Sequence, residues 1–144
     1  MKQDVLITLR GTQKIGNDEP ETVELITRGI LRERNEKYSV SYTETELTGT
    51  PGVITTFFIP HRKRVILSRE GPIRSKMVFV EGEKDEALYD LGFGSLLIGI
   101  HAHNIEVDLS PEGGTLRIDY TVEVEQSHTS RNNYELLIKP ISET

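Results

Sequence analysis

Cysteine is absent from this 144-residue sequence, and apolar residues never form a long uninterrupted run. Without cysteine, the chain has no disulfide, no thiolate metal site and no cysteine nucleophile. The first apolar run, residues 5–9, is too short and too interrupted for a signal peptide or a membrane-spanning helix. We therefore expect a cytoplasmic protein that has no membrane partner.

Positive charge is also scarce, because 17 lysines and arginines stand against 23 acidic residues, for a formal net charge of -6. This balance opposes binding to a phosphate backbone, so we expect no nucleic-acid partner. The one basic cluster, residues 61–64, follows Pro60 and precedes an apolar alternation. We interpret this cluster as a solvated hairpin loop.

Sequence signatures of catalysis and of cofactor binding are missing as well. No Gly-x-Ser-x-Gly nucleophile elbow occurs, and the glycine-rich stretch at residues 92–95 lacks the Lys-Ser/Thr ending of a phosphate loop. We expect a protein that is not an enzyme and needs no cofactor. The content of 35% hydrophobic and 28% charged residues is typical of a soluble globular chain, here one domain over residues 1–144.

What the sequence does contain is strand-like alternation from one end to the other. In residues 115–125, Leu116, Ile118 and Tyr120 share one face, while Arg117 and Asp119 share the opposite face. The same pattern, bounded by short turn signals, predicts about ten strands in all. The other predicted strands are residues 4–12, 21–34, 37–46, 53–59, 64–69, 74–81, 87–91, 95–102, 105–109 and 134–139.

Short connections predict an all-β, antiparallel, up-and-down meander, and closing such a sheet into a barrel removes its exposed edges. Two features favour barrel curvature. Gly29 interrupts a strand, and the apolar face changes parity between Ile100 and Ile105, which predicts a bulge near residues 102–104. One short helical turn is predicted at residues 84–89.

Five segments together resemble the YwiB-like family of small bacterial proteins: ELITRG at 24–29, SYTETELTG at 41–49, SREG at 68–71, YDLG at 89–92 and LRIDYTV at 116–122. The resemblance covers nearly the whole chain and implies a calycin-type, lipocalin-like β-barrel. Barrels of that type often enclose a small, mostly apolar ligand. The family has no assigned activity, so the resemblance implies no active-site residue.

The candidate ligand site begins in the segment after Lys37, where Tyr42 and Glu44 fall on one face by strand alternation. An inward Glu44 needs a partner, and Arg69, which continues the apolar face of its own strand, is the obvious one. We expect Arg69 and Glu44 to orient a polar head group, with Tyr42, Thr55 and Tyr120 lining the wall. The alternatives are a structural ion pair that plugs one barrel end and a fully exposed Glu44.

Two further clusters invite chemical hypotheses. Glu44 and Glu46 project from one face and form a carboxylate pair of the kind used in acid–base catalysis, but no substrate cleft accompanies them. His101 and His103 stand at alternate strand positions, a spacing that lets two imidazoles reach one metal. No third ligand is near in the sequence, so we interpret the pair as rim histidines and predict no metal site.

The hypothesis that we favour is a non-enzymatic barrel that binds a small apolar or amphipathic ligand. It fails if Phe57, Phe79 and Tyr120 fill the interior completely. The alternative is an interaction or assembly protein, such as a homodimer, that pairs through an outer face. The outward residues 54, 56 and 58, together with 97 and 99, are unusually apolar for such a surface.

Overall fold

The computed structural model describes residues 1–45, 51–72, 74–90, 94–125 and 128–141, without the side chains of residues 87, 89 and 90. The predicted all-β class is confirmed. No helix long and apolar enough to cross a membrane is found in these ranges. The strands are β1 (Lys2–Ile15), β2 (Glu21–Arg34), β3 (Lys37–Thr43), β4 (Ile54–His61), β5 (Arg64–Glu70), β6 (Ser75–Val80), β7 (Lys84–Asp90), β8 (Ser95–Ser110), β9 (Gly113–Val124) and β10 (His128–Pro140).

All ten strands belong to one antiparallel sheet, which runs β6-β5-β4-β3-β2-β1-β10-β9-β8-β7. Consecutive strands pair as hairpins, as a meander requires, and β1 pairs with β10 along eleven positions from Val5 to Ile15. Only the two sheet edges, β6 and β7, lack a ladder between them in the described part. We call this gap the seam, and it makes the sheet a nearly closed barrel.

The interior of the barrel is built by the predicted alternation. On β9, Leu116, Ile118 and Tyr120 are buried, whereas Arg117 is exposed on the outside. The same alternation on β1 buries Val5, Ile7 and Leu9. These inward side chains form one hydrophobic core cluster that extends around the barrel.

Gly29 allows the tight packing that the predicted bend requires. A Cβ at this position would lie 2.5 Å from the Ser41 carbonyl oxygen and would also overlap the Ile7 side chain. Glycine is therefore needed where β2 passes close to both neighbours. The predicted bulge is confirmed too, because the β8–β9 register shifts between Ala102 and Asn104. Two predicted strands, 95–102 and 105–109, are consequently one bulged strand, β8.

Two local predictions were wrong. Residues 84–89, predicted as a helical turn, are part of β7, which pairs with β8 from Lys84↔His101 to Asp90↔Ser95. A ladder to a neighbouring strand outweighs the weak helical propensity of so short a segment. The last strand begins at His128 rather than Tyr134, since polar residues 128–133 continue the ladder with β9.

The turn after β6 joins the seam to the bulge. Gly82 N donates to the Ala102 carbonyl at 2.9 Å, and the Glu81 carboxylate accepts from Ile105 N at 2.9 Å and from Lys63 Nζ at 3.0 Å. A bulge leaves backbone groups outside the regular ladder, and here the turn binds two of them. These donors lower the pKa of Glu81, with the Ile105 amide as the largest cause.

Candidate functional site

One end of the barrel interior contains a cavity of about 400 Å³. It lies where β1, β5 and β9 end and where β2, β4, β6, β8 and β10 begin. Exposed Gln13, Glu21 and Val23 line its rim, so the cavity opens to solvent there. Its wall is part apolar and part polar, and the apolar members include Leu9, Leu25, Phe57, Met77, Ile98 and Val122.

The five residues predicted for the ligand site all line this cavity. Three of them form a cross-strand row on the inner face, because Tyr42 pairs with Thr55 and Thr55 pairs with Arg69. Strand alternation places this row inward, as predicted from the sequence. Tyr120 belongs to β9, on another part of the barrel wall, and Glu44 lies one inward position beyond Tyr42.

Burial sets this end of the barrel apart. Among the described residues, the buried polar or charged ones are Glu44, Thr55 and Asn132, with exposed fractions of 7%, 1% and 9%, and all three line the cavity. Arg69 is half-buried. A buried polar group costs free energy unless it is hydrogen-bonded, so such groups are usually scattered and paired. Their concentration at one cavity therefore distinguishes it from the rest of the barrel interior as a candidate binding site.

The two charges at the cavity do not form the ion pair that the sequence predicts. The ion pairs formed within the described ranges are Lys63–Glu81, Lys84–Glu123 and Arg117–Glu135, and no Glu44–Arg69 contact within 4.0 Å is among them. The alternative of a fully exposed Glu44 is wrong, because the residue is only 7% exposed. Glu46, the second carboxylate of the considered catalytic pair, lies outside the described residues.

Tyr42 provides the clearest electrostatic signal of the cavity. Burial and then the negative charge of Glu44 raise the pKa of Tyr42 from 10.0 to about 12, although Arg69 and the Thr55 hydroxyl act in the opposite direction. At neutral pH the phenol is therefore protonated and able to donate a hydrogen bond. The Thr55 Oγ1 atom is close enough to influence this pKa, but it has no partner with hydrogen-bond geometry in the described part of the chain.

An aromatic row crosses the interior next to the cavity. Phe57 meets Tyr134 edge-on at 5.9 Å between ring centroids, Tyr134 stacks on Tyr120 at 5.6 Å, and Tyr120 meets Phe79 edge-on at 4.8 Å. These rings, which include Phe57, Phe79 and Tyr120, occupy part of the interior. They leave the cavity open beside them, so the interior is only partly filled.

Sequence reasoning missed Asn132 and Tyr134 as lining residues. Asn132 Nδ2 donates to the carbonyl of Ser130 at 3.2 Å and to its Oγ at 3.0 Å, which fixes the amide at the cavity. Leu136 and Ile138 point inward. Tyr134 and Asn132 stand two and four residues before Leu136, so strand alternation predicts that both also point inward. The polar sequence around them hid that signal, because it resembles a turn.

His101 and His103, which were considered as metal ligands and interpreted as rim histidines, lie together on the outer face. Their rings are 4.4 Å apart, and His103 Nε2 is 2.6 Å from the Thr121 hydroxyl. Burial, Arg131 and His101 together lower the pKa of His103. No group of three or more possible metal ligands occurs in the described ranges.

A larger groove of about 520 Å³ lies on the outer face and has a different character. Its charged residues form a row across five neighbouring strands, in the order Glu24, Arg10, Glu135, Arg117 and Glu106. Opposite charges alternate along this row, and Arg117 binds Glu135 at 2.8 Å. The exposed charges therefore compensate one another, which makes the groove a weaker candidate than the inner cavity.

Comparison with known proteins supports the fold. The crystal structure of ywiB protein from Bacillus subtilis is similar, with a TM-score of 0.77 and 19% sequence identity over 98% of this chain and 94% of that chain. A search among curated proteins finds no match. Residues 7–136 match the family described as Domain of unknown function (DUF1934), and the predicted YwiB-like resemblance is confirmed. The chain thus belongs to the DUF1934 family.

Proposed function

We propose that this protein is a non-enzymatic, calycin-type binding barrel of the cytoplasm that holds a small, largely apolar molecule in the inner cavity. The observation that carries the proposal is the gathering of the buried residues Glu44, Thr55 and Asn132 at one cavity whose remaining wall is mostly apolar. Ligand sites in proteins combine an apolar lining with a few convergent polar groups in about 300–1,000 Å³.

The polar groups would orient the ligand. Arg69 and Glu44 bring opposite charges to the same cavity, and Tyr42 contributes a protonated phenol. The apolar part of the ligand would lie against Leu9 and Leu25. An amphipathic molecule satisfies both parts of such a wall, because its polar end replaces water at the charges while its apolar end is removed from water.

The proposal is tested by mass spectrometry of small molecules that co-purify with the native protein. Leu25→Trp is the test variant, because it projects a large ring into the cavity. Ile26→Trp is the matched control, because Ile26 is the next residue on β2, points outward and is 65% exposed. A stoichiometric compound that is lost with Leu25→Trp and kept with Ile26→Trp supports the binding barrel. Wild-type protein that carries no compound and binds none of a set of amphipathic probes contradicts it.

A second candidate function is self-association through the outer face of β4. Ile54 and Phe58 are 48% and 38% exposed there, and Phe58 continues laterally into Ile66 and Val78 on the neighbouring strands. On the other predicted apolar face, Gly99 is buried beneath the Lys84 side chain, whereas Leu97 is half-buried beside the exposed Leu88. Sedimentation of wild type and Phe58→Ser over a range of concentrations tests this candidate, which requires a dimer that Phe58→Ser weakens.

A further inference from the structure

Among the residues that the structure describes, Glu44 is the one acidic residue that is buried. It is 7% exposed, it lines the cavity, and its side chain makes no hydrogen bond or ion pair with any residue in the described ranges. Its backbone is held firmly, since Glu44 N donates to the Val53 carbonyl at 2.7 Å and the Glu44 carbonyl accepts from Gly52 N at 3.2 Å. The side chain is therefore held at the cavity, and its carboxylate has no hydrogen-bond or ion-pair partner among the described residues.

The wall of the same cavity also contains a buried hydroxyl oxygen. The Thr55 Oγ1 atom is fully buried and also lacks a hydrogen-bond partner within the described part of the chain. Glu21 lies at the rim and brings a second negative charge, so acidic groups outnumber the Arg69 guanidinium at this cavity. The chain as a whole carries a net charge of -6, which attracts cations toward the barrel.

A buried carboxylate is costly unless a positive charge accompanies it. An alkylammonium group meets this requirement, because it carries the charge and offers three N–H donors to the acceptors around it. An alcohol supplies one donor and no charge, and a carboxylate ligand supplies like charge. Glu44, which has no ion-pair partner among the residues that the structure describes, is therefore expected to discriminate among head groups that have the same apolar chain.

We propose that the ligand of this cavity is an amphipathic amine, whose ammonium group binds Glu44 and Thr55 and whose apolar part lies against Leu9, Leu25 and Val122. This inference rests on the proposed function and specifies its ligand class. The ammonium group takes the position beside Glu44 that would otherwise be filled by water.

Calorimetric titration with three probes that share an eight-carbon chain tests the inference: octylamine, octanol and octanoate, each below its micelle-forming concentration. Octylamine is expected to bind about tenfold more tightly than octanol, and octanoate more weakly than both. Glu44→Gln preserves the shape of the side chain and should abolish the preference for the amine. Glu24→Gln makes the same substitution at an exposed position on the outer face of β2, and it should leave the preference for the amine unchanged.

The outcomes separate the two proposals. If octanol or octanoate binds wild-type protein as tightly as octylamine does, the amine inference is wrong while the binding barrel stands. If none of the three probes binds and no compound co-purifies, both proposals fail. The wild-type comparison gives this answer even if Glu44→Gln does not fold, and an amine preference that persists in a folded Glu44→Gln protein overturns the assignment to Glu44.

Discussion

Two adjacent rows of the barrel interior differ sharply in chemistry although the same three strands supply them. Val40, Phe57 and Leu67 pair across β3, β4 and β5 and are all buried and apolar. Two residues along each strand, about 7 Å away, the next row consists of Tyr42, Thr55 and Arg69. We call these the apolar row and the polar row.

The difference shows that the polar row contributes less to stability than an apolar row at the same place would. Continuing the apolar row would bury more hydrocarbon and leave no cavity, because apolar side chains pack to the density of the core. The polar row instead buries hydroxyls and places a carboxylate nearby. Residues that break a local rule of stability without a structural gain are expected at functional sites. The four predictions below test this contrast.

The largest effect is expected in the apolar row. Phe57→Ala removes a ring that is 1% exposed and packs against Tyr134, so the free energy of unfolding should fall by about 3–5 kcal/mol. Thr55→Val, two residues away on the same strand, is the matched control. It removes a buried hydroxyl that has no hydrogen-bond partner in the described ranges, and it should leave stability unchanged or raise it slightly. Urea denaturation measures both, and equal losses would remove the contrast between the rows.

Glu44→Gln should act in the opposite direction. It removes the charge of a side chain that is 7% exposed and has no ion-pair partner among the described residues, so the free energy of unfolding of ligand-free protein should rise by about 1 kcal/mol at neutral pH. Glu24→Gln, at an exposed position on the outer surface, should change stability by less than about 0.5 kcal/mol. A clear loss of stability in Glu44→Gln would mean that the carboxylate supports the fold rather than a ligand.

The turn after β6, where Glu81 binds Lys63 and the Ile105 amide of the bulge, provides a test outside the two rows. The folded pKa of Glu81 is lowered, so its contribution is fully present above the pKa of the unfolded chain, near 4.5, and is lost as the pH falls through the folded value. Glu81→Gln should therefore lower the melting temperature at pH 7 but have little effect in strong acid. Melting curves of both proteins against pH measure this, with the exposed Glu83→Gln as control. A deficit independent of pH would contradict the electrostatic role.

Much of the fold follows from the sequence because alternation and turns are local signals. The inward direction of Tyr42, Thr55 and Tyr120 could be predicted because every second residue of a strand points to the same face of the sheet. The strand character of residues 84–86 could not be found in the same way, because it is decided by pairing with the neighbouring strand. Distances between charges are equally non-local. Strand patterns place Glu44 and Arg69 at one barrel end but give no distance between them, and no Glu44–Arg69 pair is among the ion pairs of the described residues.

The smallest effect concerns the titration of Tyr42, which reports on the charges of the polar row. Its pKa of about 12 exceeds the unfolded value of 10.0, so the protonated phenol stabilises the fold below pH 10 and this contribution is lost as the pH rises toward 12. Because the Glu44 charge raises this pKa and the Arg69 charge lowers it, Glu44→Gln should shift it down and Arg69→Gln should shift it up. Tyrosinate absorbance measures the titration, and Tyr42→Phe assigns it. Shifts of the same sign in the two variants would show that burial, rather than the two charges, controls Tyr42.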